Sequence, residues 1–212
     1  MLVNPRTGPI KGGVVLLPKR FVIDKPVLHA AQGIANTGFA VSVPDLSKHP
    51  VDIDNVTVDE LVNAVYAAKE AARDLRKTLG GGKKVGVVGA WLGGTVALLA
   101  SDDEFDASVV VCPFVRLPVA DDVIVRQPLD VVRKARAPIL AVFGELDSDV
   151  PIEDVRELER ALSASPSDDE SYTYPGVAHA FFDNEEGNAE YREAAERDLW
   201  MRIDRFFAQR MF

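Results

Sequence analysis

Three short segments of the chain carry residue types whose spacing could support acyl transfer through a nucleophile, an acid and a histidine. The first, residues 84–97, reads as a buried strand, a sharp turn and a helix, with Gly89 and Gly93 flanking the turn. That is the glycine spacing of G-x-S-x-G, the strand–turn–helix elbow that presents a nucleophile. The pattern requires Ser or Cys at its centre, but here the centre is Trp91, and an indole cannot attack a carbonyl. The second segment, Phe143-Gly144-Glu145-Leu146-Asp147, places an acid just past a strand end. The third, Tyr174-Pro175-Gly176-Val177-Ala178-His179-Ala180-Phe181, places a histidine after the last strand. Elbow, acid, histidine is one of the chain orders in which such triads occur. An acid that accepts from one imidazole nitrogen fixes the tautomer and leaves the other nitrogen able to take a proton.

These loops need a scaffold that brings them to one edge. Apolar runs alternate with helical patterns along the chain, the signature of βαβ units around a mostly parallel sheet flanked by helices. Expected strands are 13–17, 39–43, the elbow strand, 108–112, 138–143 and 171–174. Expected helices are 26–36, a long one opening at Thr57, 93–100, a short one near 128–134, 152–162 and 188–209. Thr57-Val58-Asp59-Glu60 has capping-box spacing. Behind it, Val58, Leu61, Val62, Val65, Ala68, Ala72 and Leu75 trace one helical face, and Gly80-Gly81-Gly82 ends the run. The inner stripe of the last helix is Tyr191, Ala195, Leu199, Ile203 and Phe206. No repeat or linker interrupts the pattern, so residues 1–212 read as a single α/β domain without a large cap. In such sheets the chemistry sits outside the carboxyl ends of the strands, where all three loops emerge.

The chain has 212 residues and a net charge of −9 from 33 acidic and 24 basic side chains. A nucleic-acid footprint needs a basic patch, so no nucleic-acid partner is expected. The single cysteine, Cys112, excludes an intramolecular disulfide, and a reducing compartment is the simplest setting. No run approaches the roughly 18 apolar residues of a spanning helix, and the N-terminus has no apolar signal core. A cytoplasmic protein without a membrane partner is expected. Gly80-Gly81-Gly82 precedes a strand, whereas a phosphate-binding loop follows one, so no nucleotide or other cofactor is expected. His29, His49 and His179 are scattered, and no metal site is expected.

Four blocks in order give the chain a resemblance to the dienelactone hydrolase family of the α/β-hydrolases. They are Val43-Pro44-Asp45-Leu46, Gly89-Ala90-Trp91-Leu92-Gly93-Gly94, Gly144-Glu145-Leu146-Asp147 with Val150-Pro151, and residues 174–181. The likeness implies an α/β-hydrolase fold and a small-molecule ester or lactone substrate. It also implies Asp147 as triad acid, His179 as triad base, and an oxyanion hole from the backbone N–H groups of Leu92 and Arg20. The departures cluster at the site. Trp91 stands where the family carries Cys or Ser. Lys19 is nearest to the position of a family Glu, and Asp183 to that of a substrate-binding Arg, so both charges are reversed. Dienelactone itself is therefore not the expected substrate.

The elbow residue of this motif sits at strained positive φ, costly for a bulky side chain. On that backbone the indole projects into the pocket mouth, fills acyl-group space, and is placed to offer its N–H to His179. Cys112 ends the strand after the elbow helix and reads as core lying near the same rim. Thr95 sits one turn into the elbow helix, pointing away from His179. Neither replaces the nucleophile. Three readings follow: a hydrolase with a degenerate or repurposed triad, a non-catalytic small-molecule binder, or a cofactor-free enzyme using His179–Asp147 as general base. Because Cys and Trp codons differ by one base, an accidental or introduced change at position 91 is a further account of the residue.

Overall fold

The computed structural model describes residues 1–46, 57–101, 103–117 and 126–212. Its centre is a seven-stranded sheet in the order β1-β3-β2-β4-β5-β6-β7. β2 (Gly12–Leu17), β3 (Phe39–Ser42), β4 (Val85–Ala90), β5 (Ala107–Val111), β6 (Ile139–Gly144) and β7 (Glu170–Tyr174) all run parallel. The exception is β1 (Leu2–Val3), an antiparallel edge strand pairing Leu2 with Ser42, which the sequence pattern did not reveal. Two residues are too few to show a period.

The central strands read as unbroken apolar runs because helices cover both faces. Along β2, Val15 and Leu17 face one layer while Val14 and Leu16 face the other. The first layer is α2 (Val58–Leu79), α3 (Leu92–Ala100), α4 (Pro128–Val132) and α5 (Ile152–Ser163). The second is α1 (Lys25–Asn36) and α6 (Glu193–Arg210). The Thr57 capping box forms, with Thr57 and Glu60 bonding each other's backbone amides. The buried face of α2 is Leu61, Ala64, Ala68, Ala72 and Leu75, so Ala64 replaces Val62, which points outward.

The last helix begins later than its periodicity suggests. Residues 188–192 stay outside the helix, because the Asn188 amide donates to the carbonyls of Ala180 and Asp183, and Arg192 N–H donates to Phe181. Tyr191 therefore lies off the helix, and the buried stripe is Leu199, Ile203, Phe206 and Phe207.

Parallel register brings the loops together. Leu17 pairs with Gly89, Ala90 with Val111, and Gly144 with Tyr174, so the loops carrying Lys19, Trp91, Cys112, Asp147 and His179 leave one edge.

Candidate active site

The elbow is held by close backbone approach. A Cβ on Gly89 would lie 2.1 Å from the Gly93 carbonyl oxygen, and one on Gly93 would lie 2.5 Å from that of Leu17. Only glycine fits at either place. Between them Trp91 sits at φ 52°, ψ −120°, the strained backbone of a nucleophile elbow carrying a bulky side chain. Its amide donates to Val111 and its carbonyl accepts from Thr95, anchoring the turn to β5 and α3. The Thr95 hydroxyl donates to the Trp91 carbonyl at 3.1 Å and accepts from Phe114 N–H at 2.9 Å. That engagement is structural.

Asp147 and His179 meet through loops after β6 and β7. His179 Nδ1 lies 2.7 Å from Asp147 Oδ2, while Asp147 Oδ1 accepts from the amides of Asp149 at 2.9 Å and Val150 at 3.1 Å. Burial pushes the Asp147 carboxyl up, but the His179 bond and charge with the two amides outweigh it and hold it below its ordinary value. An ionised Asp147 makes Nδ1 the proton-bearing nitrogen and leaves Nε2 as the acceptor. Nε2 stands 3.8 Å from Asp149 Oδ2.

Trp91 covers this pair. Its ring stacks on His179 with centroids 4.8 Å apart and planes 24° apart, and Phe182 meets it edge-on at 6.2 Å. Lys19 Nζ and the Arg20 guanidinium lie 5.1 and 5.4 Å from the ring centroid. The expected hydrogen bond from the indole to His179 does not form: Nε1 is buried with no partner among the described residues. Stacked rings place the N–H in the ring plane, directed away from the imidazole nitrogens.

Lys19 and Asp183, the two reversed charges, join in one buried ion pair, and Lys19 Nζ also meets Glu185 at 2.7 Å. Glu185 is held below its ordinary value chiefly by the hydrogen bond from Lys19. The Leu92 amide opens α3 and Arg20 follows the end of β2, which pairs with β4; both therefore stand at the sheet edge from which the His179 and Asp147 loops leave.

Cys112 is fully buried at positive φ (46°), immediately after β5. One donor atom each from Cys112, Asp147 and His179 lies within 4.8 Å of the others, in line with the reading of Cys112 near the rim of the site. Burial pushes the thiol well above its ordinary value, and the Asp147 carboxylate pushes it the same way. Asp147 already uses both oxygens as acceptors, Oδ2 toward His179 and Oδ1 toward the Asp149 and Val150 amides. His29 is exposed on α1, and His49 lies outside the described residues.

A parallel sheet with helices on both faces, a glycine-flanked elbow at positive φ, and an acid-oriented histidine on later loops define an α/β-hydrolase-type architecture. The chain belongs to the dienelactone hydrolase family, whose sequence model matches residues 1–211. A Yersinia pestis protein provisionally named a carboxymethylenebutenolidase is 26% identical over 97% of this chain and 80% of its own length. The fold is similar to that of a Klebsiella pneumoniae protein provisionally named a dienelactone hydrolase (TM-score 0.81, 21% identity, covering 98% of this chain and 91% of that one). It is also similar to butyrate-bound esterase 2 of Thermogutta terrifontis (TM-score 0.74, 17% identity, covering 98% and 87%). Among the described residues, no helix is long and apolar enough to cross a membrane.

Proposed function

We propose that this family member has lost covalent acyl transfer at position 91 and keeps a repurposed small-molecule site of ester or lactone hydrolase descent. The observation that carries the reading is the Trp91–His179 stack, which puts an unreactive ring where an attacking atom belongs and covers the base. In this reading His179 and Asp147 are the remaining base and acid, and the Leu92 and Arg20 amides are the remnant oxyanion hole. Lys19, Cys112 and Asp183 shape the surrounding pocket.

A second reading has its own support. The 2.7 Å Asp147–His179 contact and the two amides holding Asp147 keep His179 oriented as a general base, which a pure binder does not need. Water or a substrate proton would then be activated directly, without a covalent intermediate.

A panel of short-chain esters and lactones, assayed with the native protein, Trp91→Cys, Trp91→Ser and His179→Ala, separates the two. The lost-nucleophile reading expects native rates near background and a gain in Trp91→Cys or Trp91→Ser. Robust native turnover abolished by His179→Ala would overturn it in favour of direct base catalysis. Turnover indifferent to His179 would remove the site assignment altogether.

A further inference from the structure

On the α1/α6 side of the sheet lies a cavity of about 450 Å³ that neither Trp91, His179 nor Asp147 lines. Its volume is within the range of small-molecule sites. The floor is aliphatic, from Leu16, Val88 and Val111 on the strands and Leu199 and Ile203 on α6. Phe182 and Trp200 add flat aromatic walls, and Phe182 is also the edge-on neighbour of Trp91. Lys19 likewise lines the cavity while standing over the indole, so through these two side chains the cavity adjoins the Trp91 side of the site. A second hollow of about 510 Å³ shares His29, Ala30, Asn184, Glu196, Trp200 and Ile203 with it, extending the space between α1 and α6.

The polar groups around the cavity divide sharply by whether they are already used. Lys19 and Asp183 neutralise each other. Glu196 accepts from the Tyr191 hydroxyl at 2.7 Å and from Trp200 Nε1 at 3.2 Å. Lys25 and His29 stand four residues apart on α1, one above the other on a helix face. Neither has a hydrogen-bond or ion-pair partner among the described residues, and both line the cavity at its exposed side. An apolar chamber with aromatic walls therefore ends at Lys25 and His29, donors of positive or ionisable character, with the exposed Asn184 amide also at its lining.

We infer that the α1/α6 cavity, which shares Lys19 and Asp183 with the pocket around Trp91, takes a compact aromatic monocarboxylate whose ring lies between Phe182 and Trp200 and whose carboxylate meets Lys25 and His29. A flat ring fits the walls, and a single anion satisfies both donors without displacing the Lys19–Asp183 pair. The site needs no turnover, so it stands or falls independently of the chemistry at Trp91.

Isothermal titration with 2-naphthoate, and with its neutral isostere 2-naphthamide, tests this on the whole chain. Saturable binding of one naphthoate per chain is expected, with the amide weaker by about tenfold, the loss of one charge-assisted hydrogen bond. The exposed pair Lys25→Gln and His29→Gln, which leave the core untouched, bring naphthoate down to the affinity of the amide. Ala30→Trp fills the cavity and abolishes binding of both probes, with circular dichroism reporting that the fold is retained. No saturable naphthoate binding would overturn the inference. So would equal affinity for acid and amide, or affinity unchanged in the Lys25/His29 double variant.

Discussion

The indole of Trp91 lies nearly parallel to the imidazole of His179, 4.8 Å between ring centroids, on an elbow whose backbone is strained to φ 52°. A stack of this geometry contributes about 0.5–1.5 kcal/mol beyond area burial. Contacting residues couple rather than add, so the stack is measurable as an interaction energy. Urea unfolding of Trp91→Ala, His179→Ala and the double variant is expected to give a coupling of that size. Strictly additive effects would show that the two rings do not support each other.

The carboxyl of Asp147 gives stability a particular pH dependence. Its folded value lies below the ordinary 3.8, so folding favours the ionised form. The contribution is therefore fully present above the unfolded value and is lost as pH falls through the folded one. Asp147→Asn is expected to lower stability at neutral pH. It should also flatten the loss of stability between about pH 5 and about pH 3 relative to the native chain. Chemical denaturation across that window is the check, and parallel curves for the two proteins would contradict it.

Lys19 and Asp183 are unequal partners. Asp183 is a buried carboxylate whose one ion-pair partner among the described residues is Lys19, whereas Lys19 also holds Glu185. Breaking a buried pair from one side costs about 3–5 kcal/mol because a charge is left uncompensated. Lys19→Met is expected near that range, and Asp183→Asn clearly below it, since Lys19 keeps Glu185. Replacing both, Lys19→Met with Asp183→Leu, should recover much of the loss. Thermal or urea unfolding of the three variants decides it.

Much of this architecture was legible in the chain because its causes are local. Buried parallel strands are short apolar runs, the capping box at Thr57 is a four-residue pattern, and the elbow is two glycines around one residue. What stayed hidden depends on distant partners. Lys19 and Asp183 read as two separate charge reversals, yet they are 164 positions apart and form one ion pair. The stack on His179, rather than a hydrogen bond to it, depends on how two loops approach. The late start of α6 depends on Asn188 bonding back to the loop before it. Cys112 read as core near the site's rim, which it is, but its positive φ has no signal in Val-Val-Val-Cys.

That placement makes Cys112 inert as a thiol. Nucleophilic attack needs the thiolate, and burial first, then the Asp147 carboxylate, disfavours it. The native chain is expected to react with a disulfide reagent such as Ellman's only after denaturant is added. Rapid labelling of the folded protein at mildly alkaline pH would contradict this and would reopen Cys112 as a replacement nucleophile.

Two glycine-to-alanine changes, both within helices, are expected to have opposite signs. On Gly93 the new methyl carbon would lie 2.5 Å from the Leu17 carbonyl oxygen and 2.6 Å from that of Pro18. Both are backbone atoms at the end of β2, so relief requires the strand end or α3 to move, and with it the elbow. A loss at the upper end of about 1–3 kcal/mol is expected, the class of effect tied to forced overpacking. On Gly33, in α1, the methyl meets nothing within 4 Å. There the change removes only backbone freedom from the unfolded chain and should stabilise by about 0.8–1 kcal/mol. Urea midpoints of the two variants against the native chain test both at once. Helix propensity alone would make both substitutions stabilising. A destabilised Gly93→Ala beside a stabilised Gly33→Ala would isolate the contact between β2 and α3 as what holds Trp91 in its strained position.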